Sequence, residues 1–364
     1  MSEIIIASLG DVLINRKEPQ SAFNLLAPLF NKADVIIGNY EGVLTNRPKP
    51  IPGRRGMTIS AVENVQGVIP FNVLSLANNH AMDSGIIGLK DTLKALHAAG
   101  VQTTGAGMSY KDALRPAYID CKGVKLAVIG VTGVYRTGTE ANTVQGGVAA
   151  LRSKDYYSPP FSGAVVPGAI PEVLTLINEH DWLHFSETVA QARSQVDFVI
   201  AAVHWGDHCR EYVITDFERE LASRMADTGV DLIIGHHHHT VRGFQWQKKM
   251  LTCYGLGNAV FDQPCVSEGE RTGETGFLLP ENSRFSAVVV TRCLPQQIVS
   301  AHLIPLFIED DTPAPMHRNS DEWHEFLRIQ DCCAQQSHLD AIVVDNGTWW
   351  NDFAMLDIMK TSVK

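Results

Sequence analysis

Hydrophobic residues in this chain gather in short unbroken runs that stop at polar clusters: EIIIASLGD (3–11), ADVIIGNYEG (33–42), FNVLSLANNH (71–80), VDFVIAAVHWGD (196–207) and VDLIIGHHHH (230–239). Near-continuous apolar runs of this length predict strands buried on both faces and covered by helices. KLAVIGVTGV, MLTCYGLGNAVF, FSAVVVTR and AHLIPLFI are further strand candidates. A helical period marks segments between them. In GIIGLKDTLKALHAAG, Ile86, Leu89, Leu93 and Leu96 share one face and Gly100 supplies a stop. In TDFERELASRMADTG, Thr215 and Glu218 have capping-box spacing and Gly229 follows the end. Strand-helix alternation predicts an α/β layered architecture.

Two stretches break the pattern, the basic NRPKPIPGRRG (46–56) and a Gly- and Pro-rich segment over 138–171. Loops of that length are expected as covers of a site or as disordered segments. After EDDTPAPM, the tail carries one amphipathic helix candidate, SDEWHEFLRIQDCCAQQ (320–336), and then DNGTWW.

The polar clusters fall at the carboxyl ends of the expected strands: Gly10-Asp11, Asn39-Tyr40-Glu41, Asn78-Asn79-His80, His204-Trp205-Gly206-Asp207 and His236 to His239. Ligand sites collect at that edge of α/β sheets. Taken singly, Asp11 and Asn39 read as ordinary strand ends, and His204 as a packing residue beside tryptophan. Together they form a mixed oxygen and nitrogen donor set, suited to manganese, iron, zinc, magnesium or calcium.

Composition narrows the partners. The 364 residues are 45% hydrophobic, enough for a substantial core, and the formal net charge is -10 at pH 7. That balance argues against nucleic acid and against an anionic membrane surface. Seven cysteines with no C-x-x-C pair indicate neither a disulfide framework nor a zinc ribbon. With an N-terminal apolar run too short for a signal peptide and no segment of spanning length, the expectation is a cytoplasmic protein.

SLGDVLI, IGNYEG, LANNHAMDSGIIGLKDTLKALHAAGV, AVHWGD, VDLIIGHHHH and YGLGNAVFD resemble, in order, the motifs of the CapA family linked to poly-γ-glutamate capsule synthesis. That family is similar to the calcineurin-like metallophosphoesterases. The resemblance implies a four-layer α-β-β-α sandwich over residues 1–310, with 311–364 as an extension packed on the same domain. It implies metal positions at Asp11, Glu41, Asn79, His204, His236 and His239, and a general acid at His80. His238 stands where the family usually has proline, so which two of the four histidines face the site stays open. Leu13 replaces a ligand histidine of the metallophosphoesterase pattern and Asn39 its bridging aspartate, so the expectation is one or two divalent ions, loosely held.

Imidazoles around a carboxylate favour acid-base chemistry, with His80, His204, His239 and Asp11 as the catalytic candidates. No nucleophile elbow, Walker loop or dinucleotide fingerprint is present. The leading expectation is an enzyme acting on a peptide or polyglutamate chain, by α-proton abstraction with epimerisation or by amide hydrolysis. The alternatives are a non-catalytic polymer- or peptide-binding subunit and a phosphoesterase. Arg54, Arg55, Arg136 and Trp205 are the substrate-binding candidates; the bland alternative for the arginines is a solvated face. The oligomeric state is open.

Overall fold

The computed structural model describes residues 2–50, 56–159, 163, 164, 166–262, 279–340, 342–350 and 352–360. The strands that carry the site are, in chain order, β1 (Ile4–Leu13), β2 (Val35–Tyr40), β3 (Val73–Ser75), β4 (Gln102–Thr104), β5 (Val124–Thr132) and β6 (Phe198–His204). They continue with β7 (Leu232–His236), β8 (Met250–Cys253), β9 (Asn258–Phe261), β10 (Phe285–Leu294) and β11 (Gln297–Glu309). The main helices are α1 (Gly85–Ala98), α2 (Glu179–Arg193), α3 (Asp216–Thr228) and α4 (Asp321–Gln336).

Two sheets result. The larger runs β11-β10-β1-β2-β3-β4, with β9 also paired to β1; the smaller runs β8-β7-β6-β5. Side-chain alternation shows how they stack. Ile4, Ile6, Val35 and Ile37 of the first sheet meet Phe198, Ile200, Ala202, Leu232 and Ile234 of the second in one buried cluster. The intervening Ala7, Leu9, Ile36 and Leu74 point outward and pack with Leu89 and Leu96 of α1. Val199, Ala201, Val203 and Ile233 point outward from the second sheet onto Phe185 and Val189 of α2 and Leu221 and Met225 of α3. The order is helix, sheet, sheet, helix, the expected four layers.

The tail joins the same core. Ser320 caps α4 by accepting from the Trp323 N–H, and Trp323, Phe326, Ile329 and Cys333 enter the inter-sheet cluster. Residues 138–171 are not one long loop. Ser153–Ser158 pairs antiparallel with Glu172–Ile177, a hairpin whose pairing alternates Asp155 with Thr175 and Tyr156 with Leu174. No helix among the described residues is long and apolar enough to cross a membrane.

Candidate active site

Strand parity decides which polar residues meet. Along β2, Val35 and Ile37 face the second sheet, so Asn39 and then Glu41 continue on that side while Tyr40 joins the outer core. Along β6, Phe198, Ile200 and Ala202 face the first sheet; His204 follows them, and Trp205 turns away into the outer core. β1 alone would fail, because its odd residues Ala7 and Leu9 point outward. A register shift between Ser8 and Asp11 reverses the parity, after which Val12 and Ile14 are outward and Asp11 faces the seam. Gly10 permits the shift, since a Cβ there would lie 1.9 Å from the Gly257 carbonyl oxygen. The Asp11 N–H donates to that same oxygen at 3.0 Å.

The histidine run makes a turn. His236 ends β7 and its Nε2 lies 3.3 Å from the Leu9 carbonyl oxygen. His237 and His239 then adopt left-handed backbone, at φ 95° and 57°. Their side chains go to the carboxylates. The ring of His237 joins Glu41 and His204 with donor atoms within 4.8 Å, while its backbone N–H donates to Asp11 Oδ2 at 3.1 Å, and His239 Nε2 lies 3.9 Å from Glu41 Oε1. His238 points the other way, with Nε2 3.0 Å from Glu218 Oε1 on α3.

These pieces assemble at the carboxyl ends of both sheets. Asn39 donates to Asp11 Oδ1 at 2.8 Å, and Asn78 holds Asn39 Oδ1 and the Tyr40 carbonyl. His204 Nε2 lies 2.7 Å from Asn79 Oδ1 and 3.5 Å from Glu41 Oε1. His239 Nδ1 lies 2.8 Å from Asn258 Oδ1, and His237 Nε2 3.1 Å from His208 Nδ1. His80 is placed differently. Its Nδ1 is 2.6 Å from Asp83 Oδ2, its Nε2 is 4.0 Å from Glu41 Oε1, and its side chain keeps 12% exposure where His204 keeps 1%. Asp83 also accepts from the Thr58 N–H and lies 3.3 Å from Arg136 Nε, while Arg136 donates to the Asn79 carbonyl.

Burial dominates the electrostatics. It pushes the Asp11 carboxyl up to about 7, against hydrogen bonds from Asn39 and His237 that pull it down. It raises Glu41 well above the carboxylate range, with the charges of Asp11 and Asp83 adding to the rise. It also drives His204 and His237 well below the usual imidazole value and His239 down to about 3. Neutral imidazoles present lone pairs, the form that binds metal.

Glu41 tests whether a divalent ion fits. Among the described residues neither of its buried oxygens accepts from an amide, hydroxyl or backbone donor, and its neighbouring acid is Asp11, a costly arrangement for a carboxylate unless a cation offsets it. Two ligand groups share it, Glu41 with His204 and His237, and Asp11 with Glu41 and His239; within each, the donor atoms lie within 4.8 Å of one another. Bond lengths near 2.0–2.2 Å to one ion give separations of roughly that size. The residues fit.

Six of the expected residues, Asp11, Glu41, Asn79, His80, His204 and His239, come together. His236 keeps the inward side of its strand but lies against the Leu9 carbonyl, outside both ligand groups, and His237 enters one of them. Trp205 is no substrate wall either. It is fully buried, stacks on Tyr254 and donates its indole N–H to the Tyr254 carbonyl. Arg136 lies at the edge beside Asn79 and Asp83, and Arg54 and Arg55 fall outside the described residues. Asp83 and Asn258 were not singled out from the sequence. The Asp three places after His80 was the available signal for the first; for Asn258 it was the YGLGNAVFD motif, while its place beside Asp11 comes from pairing of β1 with β9.

Residues 5–263 match the family described as bacterial capsule synthesis protein PGA_cap. The chain is 28% identical over 341 residues to the PGA biosynthesis protein CapA of Bacillus subtilis (strain 168), covering 90% of this chain and 77% of that one. It is 28% identical over 329 residues to the capsule biosynthesis protein CapA of Bacillus anthracis, covering 86% and 70%. Among solved structures, the calcineurin-like phosphoesterase YfkN from Bacillus subtilis aligns with 93% of this chain and 97% of its own, at 14% identity and TM-score 0.45. The family match spans well over half of the chain, with Asp11, Glu41, His80, His204 and the histidine turn inside it, and the chain belongs to the bacterial capsule synthesis protein PGA_cap family.

Proposed function

We propose that the chain hydrolyses an amide bond in a peptide or polyglutamate substrate by metal-assisted acid-base chemistry. The observation that carries the reading is the Glu41 carboxylate, without an amide, hydroxyl or backbone donor among the described residues, between two ligand groups, with the His80–Asp83 pair beside it. The names of the Bacillus relatives, in PGA and capsule biosynthesis, bring polyglutamate forward as a substrate.

Asp11, Glu41, His204, His237 and His239, with Asn79 alongside, would hold the ion or ions, which when bound supply Lewis acidity to the substrate carbonyl and acidify water. His80 handles the proton. With Nδ1 fixed by Asp83 at 2.6 Å, Nε2 lies 4.0 Å from Glu41 Oε1, beside the two ligand groups. It takes a proton from the attacking water as the C–O bond forms, then returns it to the nitrogen as the C–N bond breaks, so the amine leaves neutral. Arg136, between Asp83 and the Asn79 carbonyl, holds the His80 support in place and offers a guanidinium edge to a substrate carboxylate.

The test is incubation of manganese-loaded protein with γ-linked oligoglutamate and with α-linked peptides in deuterium oxide, followed by mass spectrometry. Shortened chains bearing a new carboxylate are expected, with loss of about 10²–10⁴ in rate for His80→Ala. Deuterium at an α-carbon without shortening would replace hydrolysis by epimerisation. Saturable binding with neither change would make the chain a binding subunit.

A further inference from the structure

Beside the site lies a cleft of about 550 Å³, between the hairpin of Ser153–Ser158 with Glu172–Ile177 and the N-terminal turn of α3. We propose that this cleft binds an apolar peptide segment carrying a basic residue. The proposal rests on the reading of the chain as an enzyme acting on an amide chain, and it selects a peptide over polyglutamate as what is bound there.

Location comes first. Gly133 and Val134 line the cleft on the loop that leaves β5, and Gly206 and Asp207 line it on the loop that leaves β6. The same loops serve the site. Arg136 reaches Asn79, and Gly133 donates to the His204 carbonyl at 2.9 Å. A Cβ on Gly206 would lie 2.1 Å from Nε2 of His238, the residue between His237 and His239. The cleft wall and the histidine turn are therefore in contact.

The lining selects the occupant. On the hairpin side, Ile170 and Val173 are 87% and 49% exposed and line the cleft together with Phe217 of α3, with Val173 on the same hairpin face as Thr175. Exposed apolar surface of this kind marks a binding face. The charges are already paired in one direction. Arg210 binds Asp207 at 2.8 Å, Arg219 binds Asp216 at 2.6 Å, and Glu220 is held by Arg224 from the next turn. Asp155 accepts from the Thr175 hydroxyl at 2.7 Å and has no ion pair among the described residues. A lysine or arginine flanked by apolar side chains completes this lining, whereas a polyglutamate chain meets an excess of carboxylates, Asp155, Asp207, Asp216 and Glu220 against Arg210 and Arg219.

The probe is a fluorescein-labelled heptapeptide alternating leucine and lysine, titrated by anisotropy into the metal-loaded protein. Saturable binding is expected, about tenfold weaker when glutamate replaces lysine in the probe, and about tenfold weaker in Asp155→Lys. Val173→Asp should weaken it similarly; both sites are exposed, and circular dichroism confirms that each variant folds. Unchanged affinity in both variants, or equal binding of the glutamate probe, overturns the proposal. Displacement by spermidine at the probe's own affinity does so too, because the cleft then takes a small amine. Binding is also read in His80→Ala. Probe binding there without hydrolysis of any chain by the wild type sinks the hydrolytic reading and keeps the cleft; hydrolysis without cleft binding does the reverse.

Discussion

Glu41 is the residue on which both ligand groups depend, and its environment makes an unusual prediction. A buried carboxylate with no amide, hydroxyl or backbone donor among the described residues, close to Asp11, destabilises the metal-free protein. Glu41→Gln removes the cost of protonating or burying that carboxylate at nearly constant volume. The variant should lose bound metal and hydrolysis, yet in chelator its unfolding free energy should rise by about 1–3 kcal/mol, read by urea denaturation. Trp205 makes the opposite kind of prediction. Its indole is fully buried and hydrogen-bonded, so Trp205→Ala should cost about 3–5 kcal/mol of stability through a cavity. A Trp205→Phe variant, which keeps most of the packing, should retain substrate affinity. That Asp11, Glu41, Asn79, His80, His204 and His239 come together was legible from the sequence because polar residues ending apolar runs have few structural uses in common. Trp205 is turned away by parity from Phe198, which residue type does not reveal; His236 keeps the inward side of Leu232 and Ile234, and the left-handed turn at His237 decides which histidines reach the carboxylates.

At the level of elements, the long β-branched runs became strands where expected, since their continuous apolar character suits sheets covered on both faces. α2 was harder to see. Its buried stripe of Asp181, Phe185, Val189 and Ala192 is thin and begins with a carboxylate, which is there to accept from Arg152. The hairpin over 153–177 was hidden because its strands are solvent-exposed, so no burial pattern marks them. The loop after β6 carries the sharpest element-scale prediction. Gly206 has φ 86°, and a Cβ would meet His238 at 2.1 Å and Glu218 at 2.8 Å. Gly206→Ala should therefore cost about 2–4 kcal/mol, from left-handed strain plus displacement of two buried groups. Because His238 sits between His237 and His239, metal affinity should fall with it, measured by titration of the folded variant.

For the whole molecule, the site is a seam: Asp11, Asn39 and Glu41 come from one sheet, and His204, His237 and His239 from the strand ends of the other. Neither sheet has a complete donor set alone, so an ion held there ties the two layers together. Metal removal should lower the unfolding temperature, and restoring a divalent ion to 100-fold above its dissociation constant should return about 2.7 kcal/mol. The four layers could be anticipated from strand-helix alternation and family resemblance, but the seam's contacts could not. They need the register shift before Asp11 and the left-handed turn at His237, which are properties of two sheets packed together. The most direct measurement is metal stoichiometry, by plasma mass spectrometry on folded protein, in His237→Ala beside His236→Ala. Loss of metal in His237→Ala with retention in His236→Ala is the result expected of a donor set built on Glu41, His204 and His237. Retention in His237→Ala with loss in His236→Ala would contradict it.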